Sequence, residues 1–164
     1  MTWTSGKRSR NKFNEPSVDL FGFTEIIKPS AADRLVAEVP DLRALWNHDS
    51  AATIGRVTAG TLSVTKRTRG VWAEIQPPRW ADGHVESVRR RDVTGMSFAF
   101  VALDDQWHLE DGEPVREIID MDVFEVSAVS FPAYPTTSLT VVPAGARSSR
   151  ALEQDTATRL RVAR

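Results

Sequence analysis

Short segments in which apolar and polar residues alternate fill most of the chain between residues 42 and 131. In the clearest case Val71, Ala73 and Ile75 share one face of a strand, because successive strand side chains point to opposite faces. Turn signals at 68–70 and at Asp111-Gly112 predict hairpins. Strands are predicted at 42–46, 53–57, 61–66, 71–76, 94–103, 107–109, 115–119 and 123–131.

Helical spacing is confined to two segments. The first begins with Ser30 as the predicted N-cap and ends at Pro40. The second covers residues 80–91 and has His84 on its apolar side, so we expect a packing role for this histidine. Many short strands with only two helices predict a mainly β (α+β) protein, a compact antiparallel β-barrel or sandwich with helices on its flanks.

Charge divides the chain into a central domain and two basic ends. The first twelve residues contain four basic residues and no acidic one, and the last eighteen contain five arginines against two acidic residues. We therefore predict a flexible basic arm at 1–19, a single β-barrel domain at 20–142 and a flexible basic tail at 143–164.

Composition removes several classes of chemistry. The chain has no cysteine, which excludes disulfides, thiolate nucleophiles and cysteine-ligated zinc or iron–sulfur clusters. Its three histidines lack the spacing of a zinc hydrolase, so we expect no cofactor and no metal. The net charge of −1 gives no reason to expect specific nucleic-acid binding, and no apolar run approaches the ~18 residues of a membrane span.

Two polar residues stand out because together they can perform acyl transfer. His48 follows an apolar run that ends at Trp46, and Ser97 lies in the otherwise apolar segment 95–100. A serine becomes a useful nucleophile when a histidine takes its proton. Strand alternation puts the bulky neighbours of Ser97 on the opposite face, which leaves space beside its hydroxyl for a substrate main chain. The alternatives are an inert strand serine and a surface-loop histidine.

The base needs a third group that fixes its tautomer and orientation. Glu125 interrupts the apolar strand 123–129 on a face expected to be partly buried, and a buried carboxylate is costly unless it is paired. Its partner is either the imidazole or the guanidinium of Arg116. Glu74 ranks second because its face of the 61–76 hairpin is expected to be solvated. Oxyanion donors are expected among backbone amides near the serine or from an arginine such as Arg56.

Taken together, these segments resemble the prohead proteases of tailed bacteriophages, over about residues 13–140. The segments that carry the resemblance are Leu45-Trp46-Asn47-His48-Asp49, Ile54-Gly55-Arg56-Val57, Gly95-Met96-Ser97-Phe98-Ala99-Phe100 and the run 125–136, with 25–29 also similar.

This resemblance implies a serine endopeptidase that cleaves scaffold and capsid-protein segments during prohead maturation, inside the assembling procapsid in the host cytoplasm. It also implies a fold similar to the herpesvirus assemblin proteases, which are compact β-barrels edged by helices. By position, His48 matches the family's base and Ser97 its nucleophile. Assemblin-like enzymes place the third member on a later strand, at a distance close to the 28 positions between Ser97 and Glu125, which favours Glu125 over Glu74.

The sequence departs from the family at its start. Family members usually begin with an apolar strand that carries a glycine, whereas residues 1–12 are basic and predict no such strand. A second copy of the chain could supply the missing barrel edge, so a homo-oligomer is one of the expected assemblies. The competing function is a non-catalytic β-barrel phage assembly or structural protein that shares the protease fold.

Overall fold

The computed structural model of the protein describes residues 2–4 and 13–142. Nine strands and two α-helices lie within these ranges, which agrees with the predicted mainly β class. The strands are β1 (Thr2–Thr4), β2 (Thr24–Ile27), β3 (Arg43–Trp46), β4 (Asp49–Arg56), β5 (Leu62–Arg67), β6 (Gly70–Ile75), β7 (Gly95–Glu110), β8 (Glu113–Val129) and β9 (Thr140–Val142). The helices, each preceded by a short 3₁₀ turn, are α1 (Asp33–Ala37) and α2 (Asp82–Arg90).

The strands form two sheets. One sheet has the order β5-β6-β1-β9 with antiparallel neighbours. In the other sheet β7 pairs antiparallel with β8, while β2 and β3 pair in parallel with two successive parts of the opposite edge of β8. β4 then pairs antiparallel with β3. The prediction of a purely antiparallel fold is therefore wrong, because strands far apart in sequence are free to pair in either direction.

The two sheets adjoin without a shared ladder. Thr61 lies between β4 and β5. It exchanges hydrogen bonds with Arg56 on one side, and its carbonyl accepts the Gln76 N–H on the other. At another junction Leu139 N donates to the Thr94 carbonyl. In the part of the chain that the structure describes, no strand pairing closes the sheets into a barrel. The closed barrel therefore remains a sequence-based prediction, as does the likeness to assemblins.

A single long hairpin, β7–β8, replaces four of the predicted strands. Its turn is Asp111-Gly112, where both residues have positive φ (52° and 88°), as expected of a two-residue hairpin turn. Register shifts interrupt the pairing between Ala99 and Phe100 and again between Ala102 and Asp105. Such bulges break the strict alternation of side chains, which is why the sequence pattern indicated separate short strands.

The start of the chain is attached to the domain. β1 inserts between β6 and β9, so a short strand lies within the segment predicted as an arm, although it is not the apolar, glycine-bearing strand of the family. Farther along, Phe13 N donates to the Arg69 carbonyl, and Val18 N donates to the Ala133 carbonyl. The rest of the predicted arm at 5–12 and the predicted tail at 143–164 lie outside the described residues.

The first helix differs from its prediction at both ends, and the second agrees with its prediction. Ser30 is not an N-cap, because its hydroxyl donates to the Ile119 carbonyl of β8, and α1 already ends at Ala37. The α2 region agrees with the predicted 80–91 segment. His84 packs as expected, since its ring stacks on Trp46 with centroids 4.1 Å apart.

The core lies between the sheets and is covered by the two helices. β8 supplies much of it from one face, and both helices contribute aliphatic side chains. The largest fully buried apolar side chains are Leu42, Ile54, Ile75 and Ile118. Burial of such side chains contributes about 1.5–3 kcal/mol each, so this layer is the main source of stability.

A buried polar network ties the N-terminal segment to the core. Glu25 is 5 % exposed and accepts hydrogen bonds from the Tyr134 hydroxyl at 2.7 Å and from Arg116 at 3.2 Å. Arg116 also binds Asp105, so the alternative in which Arg116 pairs with Glu125 is wrong. Burial and the neighbouring Glu25 charge raise the pKa of Tyr134 far above its ordinary value, which keeps this hydroxyl a donor.

An exposed ion pair joins the chain before β3 to the end of β4. The Arg56 guanidinium binds Asp41 through Nε at 2.9 Å and a terminal nitrogen at 2.6 Å, and Thr58 N donates to the same carboxylate at 3.3 Å. These bonds, that of Arg56 first, hold the pKa of Asp41 well below its usual range. Arg56 is therefore occupied by Asp41, which weakens the expectation that it serves as an oxyanion donor.

We predict that Asp41→Asn lowers the melting temperature at neutral pH and that the difference from wild type shrinks in acid. A carboxylate whose pKa is lower in the folded state stabilises the fold above roughly pH 4, and this contribution is lost as the pH falls through the folded-state value. Thermal unfolding from about pH 7 to about pH 2 tests this, with exposed Asp104→Asn as control. A difference that stays constant over this range would contradict it.

Candidate active site

His48 sits in the two-residue turn that joins β3 to β4. Asn47 and His48 both have positive φ, 50° and 60°, which is the geometry of a tight hairpin between antiparallel strands. The turn is held to the end of β8, because Asn47 N donates to the Ala128 carbonyl at 2.9 Å and Ser130 N donates to Asn47 Oδ1 at 3.2 Å. The sequence had predicted a strand end here, and the observed hairpin turns the imidazole back over the sheet.

Glu125 meets this imidazole from the neighbouring strand. Its Oε1 lies 2.5 Å from His48 Nδ1, and its Oε2 accepts a 2.5 Å hydrogen bond from the Ser127 hydroxyl. The Glu125 residue is 8 % exposed, whereas the His48 side chain is 44 % exposed. Both oxygens of a buried carboxylate are thus paired, and the histidine presents its other edge to solvent.

This pairing favours one tautomer of His48. With Glu125 as acceptor, the Nδ1–H group donates and the Nε2 atom is left as a proton acceptor. A carboxylate in this position also stabilises the imidazolium that forms when Nε2 takes a proton. The arrangement therefore fixes the orientation of a partly exposed imidazole.

Ser97 lies on the same face of the sheet as Glu125. In the β7–β8 ladder it is directly opposite Ser127, and Ala99 is opposite Glu125. Directly opposed residues share a face and have Cβ atoms about 4.5–5.5 Å apart. Among the described residues no hydrogen bond joins Ser97 to His48. The structure thus brings His48 and Glu125 into contact and places Ser97 beside them on the same face.

The second carboxylate considered, Glu74, is not at this site. It lies on β6 in the other sheet, where it is paired with Ser63 of β5 and Thr4 of β1. The described contacts of His48 are with Glu125 and Ser127. The structure therefore pairs His48 with Glu125 and not with Glu74.

The loop after β8 closes over the start of β7 at Gly95. A Cβ atom at Gly95 would lie 2.6 Å from Pro132 Cγ, far inside van der Waals contact. The same loop returns to the strand where Thr137 Oγ1 accepts the Met96 N–H at 3.0 Å. The side of Gly95 on which a Cβ atom would lie is therefore filled by Pro132.

Sequence reasoning missed Ser127 and Asn47. Ser127 is fully buried and contacts both Glu125 and the His48 backbone, and Asn47 anchors the turn. The available signal for Ser127 was its position two residues after Glu125, which places both on one strand face.

No cluster of three or more metal-ligating side chains occurs within residues 2–4 and 13–142. Over the same residues, no helix is long and apolar enough to cross a bilayer.

A histidine oriented by a carboxylate is one element of the serine hydrolase triad. The family model described as caudovirus prohead serine protease matches residues 10–153. The chain therefore belongs to the caudovirus prohead serine protease family. The comparison with curated proteins gave no match.

We predict that Gly95→Ala destabilises the protein by about 1–3 kcal/mol, because the new methyl group overlaps a rigid proline ring. Urea unfolding measures the change. The matched control is Gly83→Ala in α2, where nothing lies within 4 Å of the added Cβ, and a gain of roughly 0.5–1 kcal/mol is expected there.

The double variant Gly95→Ala/Pro132→Ala identifies the cause. If the overlap with Pro132 is responsible, the double variant recovers stability relative to Gly95→Ala alone. No recovery, or a Gly95→Ala protein as stable as wild type, would contradict this account of the glycine.

Proposed function

We propose that the protein is a serine endopeptidase that cleaves scaffold and capsid-protein segments during prohead maturation, with Ser97 as nucleophile, His48 as base and Glu125 as the orienting carboxylate. The observation that carries this proposal is the 2.5 Å contact between His48 and Glu125 on the sheet face that also presents Ser97. Membership of the prohead serine protease family supports the substrates and the setting, the assembling procapsid in the host cytoplasm.

The first half of the reaction forms an acyl-enzyme. Ser97 Oγ attacks the peptide carbonyl carbon while its proton passes to His48 Nε2, and Glu125 stabilises the resulting imidazolium. The tetrahedral intermediate collapses when the C–N bond breaks and His48 returns the proton to the leaving amine. In the second half, water loses a proton to His48 and attacks the ester carbonyl. The bond between the acyl carbon and Ser97 Oγ then breaks, His48 returns the proton to Ser97 Oγ, and the product leaves with its new carboxyl group.

The outer edge of β7 supports the positioning of substrate. Within the described residues β7 pairs with β8 alone. Met96 N–H points away from β8, since it donates to Thr137 Oγ1, and alternate strand amides point the same way. Phe98 N–H therefore faces the unpaired edge next to Ser97. This amide is our candidate oxyanion donor, and such a donor contributes about 10²–10³-fold in rate.

Ser127 is the weaker candidate for the nucleophile. It is 0 % exposed, and its hydroxyl proton is already donated to Glu125. Ser97 is partly exposed on a strand with an open edge. A nucleophile must reach a substrate carbonyl, and the buried Ser127 hydroxyl is not accessible to a substrate.

We predict that Ser97→Ala and His48→Ala each lower the rate of cleavage by roughly 10⁴-fold or more, since each removes a member of the catalytic group. Co-expression with the capsid and scaffold proteins, read by gel and mass spectrometry, measures processing. A fluorophosphonate probe should label wild type at Ser97. Exposed Ser63→Ala and His108→Ala serve as controls for the loss of a serine and of a histidine.

Normal processing by either Ser97→Ala or His48→Ala would contradict the assignment. If wild-type chain neither processes its capsid proteins nor reacts with the probe, the competing function, a non-catalytic assembly protein of the same fold, is favoured. Unchanged activity in both control variants shows that loss is specific to the site.

We predict that Glu125→Gln lowers the rate by about 10⁴-fold with the fold retained, because an amide cannot hold the Nδ1–H tautomer or stabilise the imidazolium. Glu74→Gln should process substrate at the wild-type rate, because Glu74 lies in the other sheet. Cleavage assays with circular dichroism of both variants measure this. The reverse pattern, an active Glu125→Gln and an inactive Glu74→Gln, would assign the third role to Glu74.

A further inference from the structure

Ser127 is a fully buried polar side chain near the C-terminal end of β8. Its residue is 0 % exposed, and it lies between Leu45 of β3 and Ser97 of β7 in the two ladders. A buried hydroxyl is costly unless its hydrogen-bonding capacity is used. A serine at this place therefore needs a reason that alanine would not satisfy.

The hydroxyl of Ser127 uses its proton and a lone pair in two different directions. It donates to Glu125 Oε2 at 2.5 Å and accepts the backbone N–H of His48 at 3.3 Å. The His48 side chain in turn contacts Glu125 Oε1 at 2.5 Å. Three hydrogen bonds thus form a closed ring that joins the backbone amide and the imidazole of His48, the Glu125 carboxylate and the Ser127 hydroxyl.

Each bond of this ring removes a different freedom. The bond to Oε2 fixes the rotation of the Glu125 carboxylate, so that Oε1 is directed at the imidazole. The bond from the His48 amide fixes the backbone of a residue whose φ is 60°, a conformation that residues other than glycine adopt less readily. The His48 side chain is 44 % exposed, so surrounding packing alone does not hold it.

We propose that Ser127 is a positioning residue of the peptidase site, which holds the Glu125 carboxylate and the His48 turn in the one relative placement that leaves Nε2 aimed at the sheet face of Ser97. This inference rests on the proposed function. Ser127 acts through Glu125 and His48 and takes no part in bond making. A misplacement of about 1 Å in such a group can lower a rate by about 10²-fold.

The test measures the reaction of Ser97 with a fluorophosphonate probe in Ser127→Ala. In this reaction Ser97 Oγ displaces fluoride from phosphorus and its proton passes to the base, so the rate reports on the base. We expect the saturating labelling rate to fall by about 10²-fold while the half-saturating probe concentration stays near the wild-type value. Ser127→Cys keeps the side-chain volume with a weaker donor, and it should fall between the two.

Ser17→Ala is the matched control. Ser17 is also buried and also makes two bonds, since its hydroxyl donates to the Val18 carbonyl and accepts the Glu25 N–H. Its loss should reduce stability without changing the labelling rate of the folded protein. Equal slowing in Ser17→Ala and Ser127→Ala would reduce the role of Ser127 to general stability and overturn the proposal.

Proton NMR gives a readout that does not depend on turnover. The Nδ1–H of His48, held in a short bond to Glu125, should give a low-field signal in wild type and in Ser17→Ala, and Glu125→Gln should lose it. In Ser127→Ala and Ser127→Cys the signal should move upfield or broaden. A folded Ser127→Ala that keeps both the signal and the wild-type labelling rate overturns the proposal. Failure of wild type to label at Ser97 instead counts against the proposed function, and the proton signal then decides the role of Ser127.

Discussion

The burial of one carboxylate constrains the whole site. Glu125 is 8 % exposed on a strand whose other residues are mostly apolar, and a charge there is stable only with partners on both oxygens. His48 supplies one partner and Ser127 the other. This requirement joins the β3–β4 turn to the C-terminal part of β8, and His48 and Glu125 are 77 positions apart in the chain.

β8 couples the stability of the fold to the geometry of the site. One face of this strand carries core side chains such as Val126 and Ala128, and the other carries Glu125 and Ser127. The loop that follows packs Pro132 against Gly95, two positions before the proposed nucleophile. Displacement of the core layer would therefore move the carboxylate, the serine and the wall beside them together.

The sequence predicted residue types and local turns better than it predicted strand partners. The 61–76 hairpin, the 80–91 helix, and the candidates Ser97, His48 and Glu125 all follow from side-chain pattern, turn residues and family resemblance. The separate strands within 94–131 and the N-cap role of Ser30 were wrong. Bulges that break alternation arise from pairing with a partner strand, and a local pattern carries no information on that partner.

By itself the sequence determined the mainly β class and the three candidate side chains, a hydroxyl, an imidazole and a carboxylate. It also determined that the chain has no cysteine and that its net charge does not indicate nucleic-acid binding. Only the tertiary structure decided which groups meet. The parallel register of β3 on β8 put Glu125 within 2.5 Å of His48. The parallel register of β2 on β8 placed Arg116 beside Glu25 instead. The reason is physical: the partner of a buried charge is set by strand register across distant segments, whereas sequence periodicity fixes only the face on which each side chain lies.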